Sequence, residues 1–260
     1  MSDAPRDKAA ALRALHVGGK PLVLPNAWDA ASARAVETAG FPVVATSSAA
    51  VSAVLGYDDG EAAPVDDVLA AVARIVRAVG VPVTVDFERG FGLPPAQLVE
   101  RMAQTGAVGL NLEDSDPATG TMIDAAEQAD LLAGVRSASA SVGVDLVINA
   151  RIDSFLRRAG SPDDPFEAAV ERGTRYLAAG ADCVYPIALT QPAVIRRFVE
   201  QIAAPVNVGY GPDGALRVAD LAALGVARVS FGPSLQRHLY GALGSTLLAA
   251  IRADANPFAT

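Results

Sequence analysis

The sequence has few of the residues on which several common kinds of protein chemistry depend. It has one cysteine, Cys183, in 260 residues, so it cannot form an internal disulfide framework. Its two histidines, His16 and His238, lie outside the segments where other polar residues gather, and no serine has a histidine at the same predicted edge. A Ser-His-Asp triad is therefore not expected. We interpret Cys183 as a buried core residue and both histidines as structural or solvent-exposed.

Long hydrophobic runs and an excess of positive charge are also missing. The apolar stretches have the length of strands and are well below the roughly 20 residues of a membrane helix, so no membrane span is predicted. The 21 Lys and Arg against 29 Asp and Glu give a net charge of −8, which disfavours binding to a nucleic-acid backbone. No charged segment followed by an apolar stretch opens the chain, so we expect a cytoplasmic location.

What the sequence does have is a regular alternation of two kinds of segment. Short apolar runs rich in β-formers alternate with segments of helical spacing. Eight such units in about 250 residues match a TIM barrel, so the sequence predicts a single (β/α)8 barrel domain over residues 1–260. A doubly wound sheet is the alternative, but no G-x-G-x-x-G follows the first strand and polar residues follow many strands. The predicted strands are 22–25, 43–46, 81–87, 108–112, 146–150, 183–187, 206–210 and 228–231, and the predicted helices are 30–39, 65–78, 95–104, 124–139, 166–179, 192–202, 218–224 and 234–252.

Three acidic residues lie at the ends of two neighbouring strands of this predicted barrel. Asp86 and Glu88 come at the end of the third strand, and Glu113 follows the fourth. Residues two apart in an extended strand face the same side, so Asp86 and Glu88 can share one pocket with Glu113. Oxygen ligands suit Mg²⁺ or Mn²⁺ better than softer metals. The sequence therefore predicts a divalent-cation site at this edge.

Other polar side chains gather at the same predicted edge, where barrel enzymes build their active sites. Arg151 ends the fifth strand, and its guanidinium can bind a substrate carboxylate or, alternatively, pair with Glu113 or Asp114. For Asp29 and Ser48 the alternative is a helix N-cap. The gathering as a whole favours catalysis. Its remaining members are Asn26, Trp28, Ser47, Arg89, Asn149, Asp153, Tyr185, Asn207, Tyr210 and Ser230.

Five short motifs follow one another along the chain. They are Ser47-Ser48, Leu55-Gly-Tyr-Asp-Asp-Gly-Glu61, Asp86-Phe-Glu-Arg-Gly-Phe-Gly92, Gly109-Leu-Asn-Leu-Glu-Asp114 and Asn149-Ala-Arg151. In this order they resemble the isocitrate lyase and phosphoenolpyruvate mutase superfamily, over about residues 22–232. The resemblance implies a (β/α)8 barrel that binds Mg²⁺ and a 2-oxo acid, and that makes or breaks a C–C or P–C bond through an enolate.

The resemblance also implies roles for individual residues. Asp86 looks like the direct metal ligand, with Glu88 and Glu113 holding metal-bound waters and Asp59 lining the site. We therefore predict Arg151, Asp59 and Glu113 as catalytic residues. The predicted substrate-binding residues are Trp28, Ser47, Ser48, Ala49, Arg151 and Asn207.

The segment after Glu113 departs from the superfamily pattern. Isocitrate and methylisocitrate lyases carry a Lys-Lys/Arg-Cys-Gly-His segment there, and its thiol supplies a proton. Residues 115–124 instead read Ser-Asp-Pro-Ala-Thr-Gly-Thr-Met-Ile-Asp, with no Cys, His or Lys, and Pro186 stands where some P–C bond enzymes have His. We therefore predict a Mg²⁺-dependent lyase of the oxaloacetate decarboxylase kind, because CO₂ leaves and solvent can protonate the enolate. The alternatives are a phosphonopyruvate-type mutase or hydrolase and a non-catalytic 2-oxo acid binding protein.

The last predicted helix, about residues 234–252, is rich in leucine. The resemblance implies a homodimer or homotetramer in which this helix packs on the barrel of a neighbouring subunit. An apolar helix face is equally compatible with packing within one chain.

Overall fold

Parallel strands alternate with helices throughout residues 4–17, 19–156, 164–211 and 216–258, which are the residues that the computed structural model describes. The strands are β1 (Leu22–Leu24), β2 (Asn26–Ala27), β3 (Val44–Thr46), β4 (Val83–Asp86), β5 (Gly109–Glu113), β6 (Val147–Ile152), β7 (Cys183–Pro186), β8 (Asn207–Gly209) and β9 (Arg228–Ser230). The helices are α1 (Ala4–Ala14), α2 (Ala30–Thr38), α3 (Ser48–Leu55), α4 (Val65–Ala78), α5 (Pro95–Thr105), α6 (Ala125–Ser141), α7 (Pro165–Ala178), α8 (Pro192–Ile202), α9 (Val218–Ala223), α10 (Ser234–Ala242) and α11 (Ala249–Arg252), with a π-helix, Leu243–Leu248, between the last two.

The strands close into a ring. Strands β2 to β7 pair in chain order, and β1, β9 and β8 form a second set of neighbours. Pro25, which has no N–H to donate, separates β1 from β2, and a single parallel bridge between Val184 and Val206 joins β7 to the segment entering β8. All pairings between these strands are parallel. The predicted (β/α)8 barrel is confirmed, with its first strand in two pieces.

Two helices were not predicted from the sequence. Helix α1 places Leu12 so close to the start of β5 that a Cβ on Gly109 would lie 2.8 Å from the leucine side chain. Helix α3 begins directly after β3, and its first turn carries Ser48. The residues at the start of α3, Ser47 to Ala50, are small or polar, so the sequence pattern does not predict a helix there. Helix α3 lies at the end of the barrel where the strands end, whereas α1 lies at the end where β5 begins.

The barrel wall buries the apolar runs, and Cys183 is fully buried, as predicted. His16 is also buried, which excludes the solvent-exposed alternative for this residue. Glycines Gly56 and Gly106 end α3 and α5 in the left-handed conformation, with φ of 87° and 82°. Among the described residues, no helix has both the length and the apolar composition needed to cross a membrane.

Candidate active site

Asp86 ends β4 and receives hydrogen bonds from two neighbouring elements. Its Oδ2 accepts from the backbone N and the Oγ of Ser48, at 3.0 and 2.9 Å, and its Oδ1 accepts from Nδ2 of Asn111 at 3.3 Å. The Asp86 N–H donates to Oγ1 of Thr46 at 3.0 Å. Ser48 lies in the first turn of α3, where the helix dipole favours a negative charge. The Asp86 carboxylate is therefore held from α3 and β5, and the Asp86 backbone from β3.

Glu88 and Glu61 bind two loops to each other. The Glu61 N–H donates to Oε2 of Glu88 at 2.5 Å, and Oε1 of Glu61 accepts from the N–H groups of Arg89 and Phe91 at 3.0 and 2.6 Å. Glu61, Glu88 and Phe91 all have positive φ, at 59°, 50° and 57°, which is uncommon for residues other than glycine. Glu61 was not among the predicted site residues. Its signal in the sequence is its place at the end of the Leu55–Glu61 motif.

Arg151 is held by two carboxylates. Its Nη1 contacts Oε2 of Glu113, and its Nε and Nη2 contact Oδ1 and Oδ2 of Asp153 at 2.7 and 3.1 Å. The Oγ of Ser115 donates to Oδ2 of Asp153 at 2.7 Å. The alternative for Arg151, an ion pair with Glu113 or Asp114, is present with Glu113, and Asp153 is a further partner. Binding of a substrate carboxylate by Arg151 stays a prediction.

Asp114 lies behind this pair and is fully buried. Its Oδ1 accepts from the Asp153 N–H at 2.8 Å, and its Oδ2 accepts from Nη1 of Arg172 and the hydroxyl of Tyr176, at 3.0 and 2.8 Å. Burial raises the pKa of Asp114 to about 6, although Arg172 opposes the shift. The network ties α7 to the strand ends that carry Arg151, and nothing in the sequence motifs identified Arg172 or Tyr176 as part of it.

Burial raises the pKa values of Glu88, Glu113 and Asp59, and neighbouring carboxylates add to each shift. Burial raises the pKa of Glu88 to about 8, and the charges of Asp59, Asp86 and Glu61 add to the shift. Burial also raises the pKa of Glu113 to about 8, with Arg151 opposing and Asp86 among the acids adding to the shift. Burial and then the charge of Asp86 raise the pKa of Asp59, whose side chain still reaches solvent. The surroundings of Asp86 therefore disfavour the charged forms of Glu88 and Glu113, and a bound cation would favour them.

These donors fit a divalent cation that keeps part of its water shell. Among the described residues, no three Asp, Glu, His or Cys side chains are placed to coordinate one ion directly. Mg²⁺ commonly keeps several waters and uses only one or two carboxylates, so a preformed cage is not required. Oxygen donors and mutually repelling carboxylates are the chemistry that a hard cation neutralises. The roles of Asp86, Glu88 and Glu113 towards the ion and its waters stay a prediction.

The other predicted residues occupy different positions around this centre. Ser47 is buried at the N-cap of α3, and Ala49 follows in the first turn of that helix. Asn207 lies in the barrel interior, where its Nδ2 is 3.3 Å from Oγ of Ser230. Trp28 packs against Tyr240, with ring centroids 6.4 Å apart, so it lies outside the hydrogen-bonded group of acids.

Asp29 is a helix N-cap, which was the alternative to a role in the site. Its carboxylate accepts from the Ser32 N–H at 2.7 Å and caps α2. Ser48, in contrast, binds Asp86 and does not cap a helix.

The segment after Glu113 folds into a compact hairpin. Ser115 and Met122 form an antiparallel bridge, and Oδ1 of Asp116 accepts from the N–H groups of Ala118 and Thr119, at 2.8 and 3.0 Å. The Asp116 side chain is therefore occupied by hydrogen bonds within the turn. The segment offers no Cys, His or Lys beside the acids.

Comparison with known proteins relates this arrangement to one family. The family model described as phosphoenolpyruvate phosphomutase matches residues 12–251. The chain belongs to the phosphoenolpyruvate phosphomutase family. An uncharacterised protein of Mycobacterium tuberculosis is 34% identical over 218 residues, covering 84% of this chain and 80% of that protein. The 2-methylisocitrate lyase of Escherichia coli K12 is 30% identical over 216 residues, covering 79% of this chain and 70% of the lyase.

Solved structures agree with membership of the phosphoenolpyruvate phosphomutase family. A Burkholderia cenocepacia protein assigned provisionally as a phosphonomutase is 41% identical, with a TM-score of 0.85 over 95% of this chain and 99% of that one. An oxaloacetate acetylhydrolase, 23% identical, has a TM-score of 0.84 over 94% of this chain and 86% of that one, and shows the fold alone. The superfamily predicted from the motifs is confirmed. The chain is an enzyme of this lyase and mutase class, which disfavours the non-catalytic binding protein.

Proposed function

We propose that this enzyme is a Mg²⁺-dependent lyase that cleaves a C–C bond of a small 2-oxo acid, with oxaloacetate decarboxylation as the leading reaction. The observation that carries the proposal is the held carboxylate of Asp86 at the end of β4, beside the strands β5 and β6 whose ends bear the ion pair of Glu113 and Arg151. Such a site combines a place for a cation with a permanent positive charge for an acidic substrate.

Asp86 is the carboxylate best placed to hold the ion directly. Its carboxylate is held from α3 and β5 and its backbone from β3, whereas Glu88, Glu113 and Asp59 are close enough to interact with its charge and are proposed to accept hydrogen bonds from water on the ion. When bound, Mg²⁺ would supply positive charge to the carbonyl and carboxylate oxygens of the substrate. Mn²⁺ has the same preference for oxygen ligands and can replace it.

Substrate binding is assigned to the start of α3 and to Arg151. The Ser48 N–H in the first turn of α3 binds Asp86, and the adjacent Ser47 and Ala49 are assigned to the substrate at the same positive end of the helix dipole. Arg151 brings a guanidinium to the same centre from β6. Asn207 and Trp28 complete the proposed substrate-binding set.

The hairpin 115–124 favours decarboxylation over a reaction that needs a proton from a mobile loop. It has no Cys, His or Lys, and the Asp116 side chain is occupied within the turn. Decarboxylation releases CO₂, and the remaining carbon can take its proton from water. A phosphonopyruvate-type mutase or hydrolase is the second candidate, favoured by the 41% identity to the provisionally assigned phosphonomutase.

The two reactions are separated by their products. Purified enzyme with Mg²⁺ is incubated with oxaloacetate, followed as pyruvate, and with phosphonopyruvate, followed as phosphate. We expect pyruvate formation above the rate of Mg²⁺ alone, abolished by EDTA and by Asp86→Asn, while Asp130→Asn on the exposed face of α6 leaves the rate unchanged. Phosphate release without pyruvate would transfer the assignment to the second candidate. Turnover unaffected by EDTA would overturn the metal dependence.

A further inference from the structure

Arg228 is the largest fully buried side chain among the residues that the structure describes, although arginine is among the residue types least often buried. It is 1% exposed and begins β9, between Leu22 of β1 and Asn207 of β8. Within the described ranges, no carboxylate lies in salt-bridge distance of its guanidinium. A buried charge without an ion pair is costly, so its place in the barrel calls for a functional explanation.

The hydrogen bonds of Arg228 lead to Asp86. Its Nη2 donates to Oδ1 of Asn111 at 3.1 Å, and Nδ2 of Asn149 donates to the same oxygen at 2.9 Å. On its other side, Nδ2 of Asn111 donates to Oδ1 of Asp86 at 3.3 Å. Asn111 and Asp86 are register partners on β5 and β4, so the amide lies directly beside the carboxylate.

The chemistry of arginine fixes the direction of this chain of bonds. A guanidinium has donors and no acceptor, so the Asn111 atom that faces Arg228 must be the carbonyl oxygen. The amide nitrogen of Asn111 must then face Asp86. If Arg228 were replaced by an apolar side chain, the Asn111 oxygen would keep only the Asn149 donor, and the restraint against turning that oxygen towards the Asp86 carboxylate would weaken.

We propose that Arg228 is a positioning residue, which orients Asn111 so that Asn111 holds the Asp86 carboxylate in place for the cation. The link to the cation rests on the proposed function, whereas the orientation of Asn111 does not. Arg228 itself lies behind Asn111 and is not assigned a contact with substrate.

Two effects of Arg228 on cation binding have opposite signs, which makes the proposal decidable. A positive charge in the barrel repels a cation, so removing it for electrostatic reasons alone would tighten metal binding. Loss of positioning would instead weaken metal binding, because Asp86 would no longer be held on its Oδ1 side. A weaker metal affinity in Arg228→Met therefore identifies positioning as the larger effect.

The first measurement is Mn²⁺ affinity by calorimetric titration of wild type, Arg228→Met, Asn111→Leu and the double variant. We expect Arg228→Met to weaken Mn²⁺ binding about tenfold, from the loss of a hydrogen bond to a charged group. The double variant should bind no more weakly than Asn111→Leu, because both changes break one chain of contacts. Additive losses, or tighter binding in Arg228→Met, would overturn the proposal. Val208→Ala, a buried wall residue of β8, is the control for loss of stability without loss of affinity.

The second measurement needs no metal. In ¹⁵N spectra, the side-chain amide of Asn111 is identified by its loss in Asn111→Leu, and its hydrogen exchange should be slow in wild type and at least tenfold faster in Arg228→Met. Unchanged exchange would refute the orienting role. If the amide responds as expected but wild type binds no Mn²⁺, the proposed function fails and the orienting role stands.

Two conservative variants keep the test decisive if Arg228→Met does not fold. Arg228→Lys retains donors only, whereas Arg228→Gln can present either a donor or an acceptor to Asn111. We expect Lys to preserve the slow exchange of the Asn111 amide and Gln to lose it. Equal behaviour of the two variants would contradict the argument from donor chemistry.

Discussion

Glu113 and Arg151 are register partners on β5 and β6, and their charged groups are in direct contact at the mouth of the barrel. The same arginine also holds both oxygens of Asp153, which is fully buried. One guanidinium thus balances two buried carboxylates. A cation at Asp86 would compete with Arg151 for Glu113, so the ion pair links the metal site to the substrate-binding site.

The first prediction concerns this arginine. Arg151→Met leaves Glu113 and Asp153 without their cation, and breaking a buried ion pair from one side costs about 3–5 kcal/mol of unfolding free energy. Urea unfolding of the metal-free protein measures the cost. Arg175→Met is the matched control, because Arg175 pairs with Glu171 on the exposed face of α7 and we expect a change below about 1 kcal/mol. Equal effects of the two variants would show that the Arg151 pairs add nothing to stability.

The strands and the site at their ends could be predicted because burial leaves a pattern in the sequence. Parallel strands covered by helices are continuously apolar, and an acid that ends such a run, as Asp86 and Glu113 do, stands out. Asn111 could have been found by the same reasoning, since it lies two residues before Glu113 and therefore on the same side of β5. Arg228, a charge that opens an otherwise apolar strand, was a further signal.

Contacts between loops could not be predicted in this way. The bond between Glu61 and Glu88 joins residues 27 positions apart and depends on positive φ at both, a conformation that local preferences disfavour. Helix α3 was missed because Ser47 and Ser48 at its start resemble a loop. Only the closed barrel brings these segments together.

The second prediction concerns Glu61. Glu61→Ala removes the acceptor for the Arg89 and Phe91 N–H groups, so the loop of residues 87–92 that carries Glu88 should lose order. Glu61→Gln retains one side-chain oxygen and should preserve the loop. Hydrogen exchange followed by mass spectrometry should show faster exchange of peptides covering 87–92 in the Ala variant only. Equal protection in both variants would show that other contacts hold the loop.

The third prediction concerns the assembly of subunits. Leu239 and Ile251 are 54% and 58% exposed, and a groove of about 540 Å³, lined in part by Trp28, Leu235 and Tyr240, lies beside α10. We propose that a second copy of the chain covers this surface in a homodimer or homotetramer. Sedimentation velocity should show dissociation in Leu239→Glu, whereas Val17→Glu, at an isolated exposed residue, should leave the assembly intact. A monomeric wild type would contradict the proposal.

The fourth prediction concerns acid stability and contrasts the two histidines. Burial, together with the positive charge of Arg228, lowers the pKa of His16 from its ordinary 6.5 to about 4. Between these values the unfolded chain binds a proton that the folded chain does not, so stability is full above pH 6.5 and falls as the pH is lowered towards 4, by about 3 kcal/mol in total.

Two acids of the site change the stability in the opposite direction as the pH falls, so the test compares the variants with wild type at each pH. The raised pKa values of Glu88 and Glu113 add stability as the pH falls from about 8, which obscures the contribution of His16 in wild type alone. His16→Gln keeps a donor for the Leu12 carbonyl and cannot titrate, so its stability relative to wild type should rise as the pH falls through this window. His238→Gln, on the exposed side of α10, should follow wild type at every pH. Urea unfolding in EDTA between pH 4 and pH 8 measures all three proteins, and a constant difference between wild type and His16→Gln would show that folding does not change the pKa of His16.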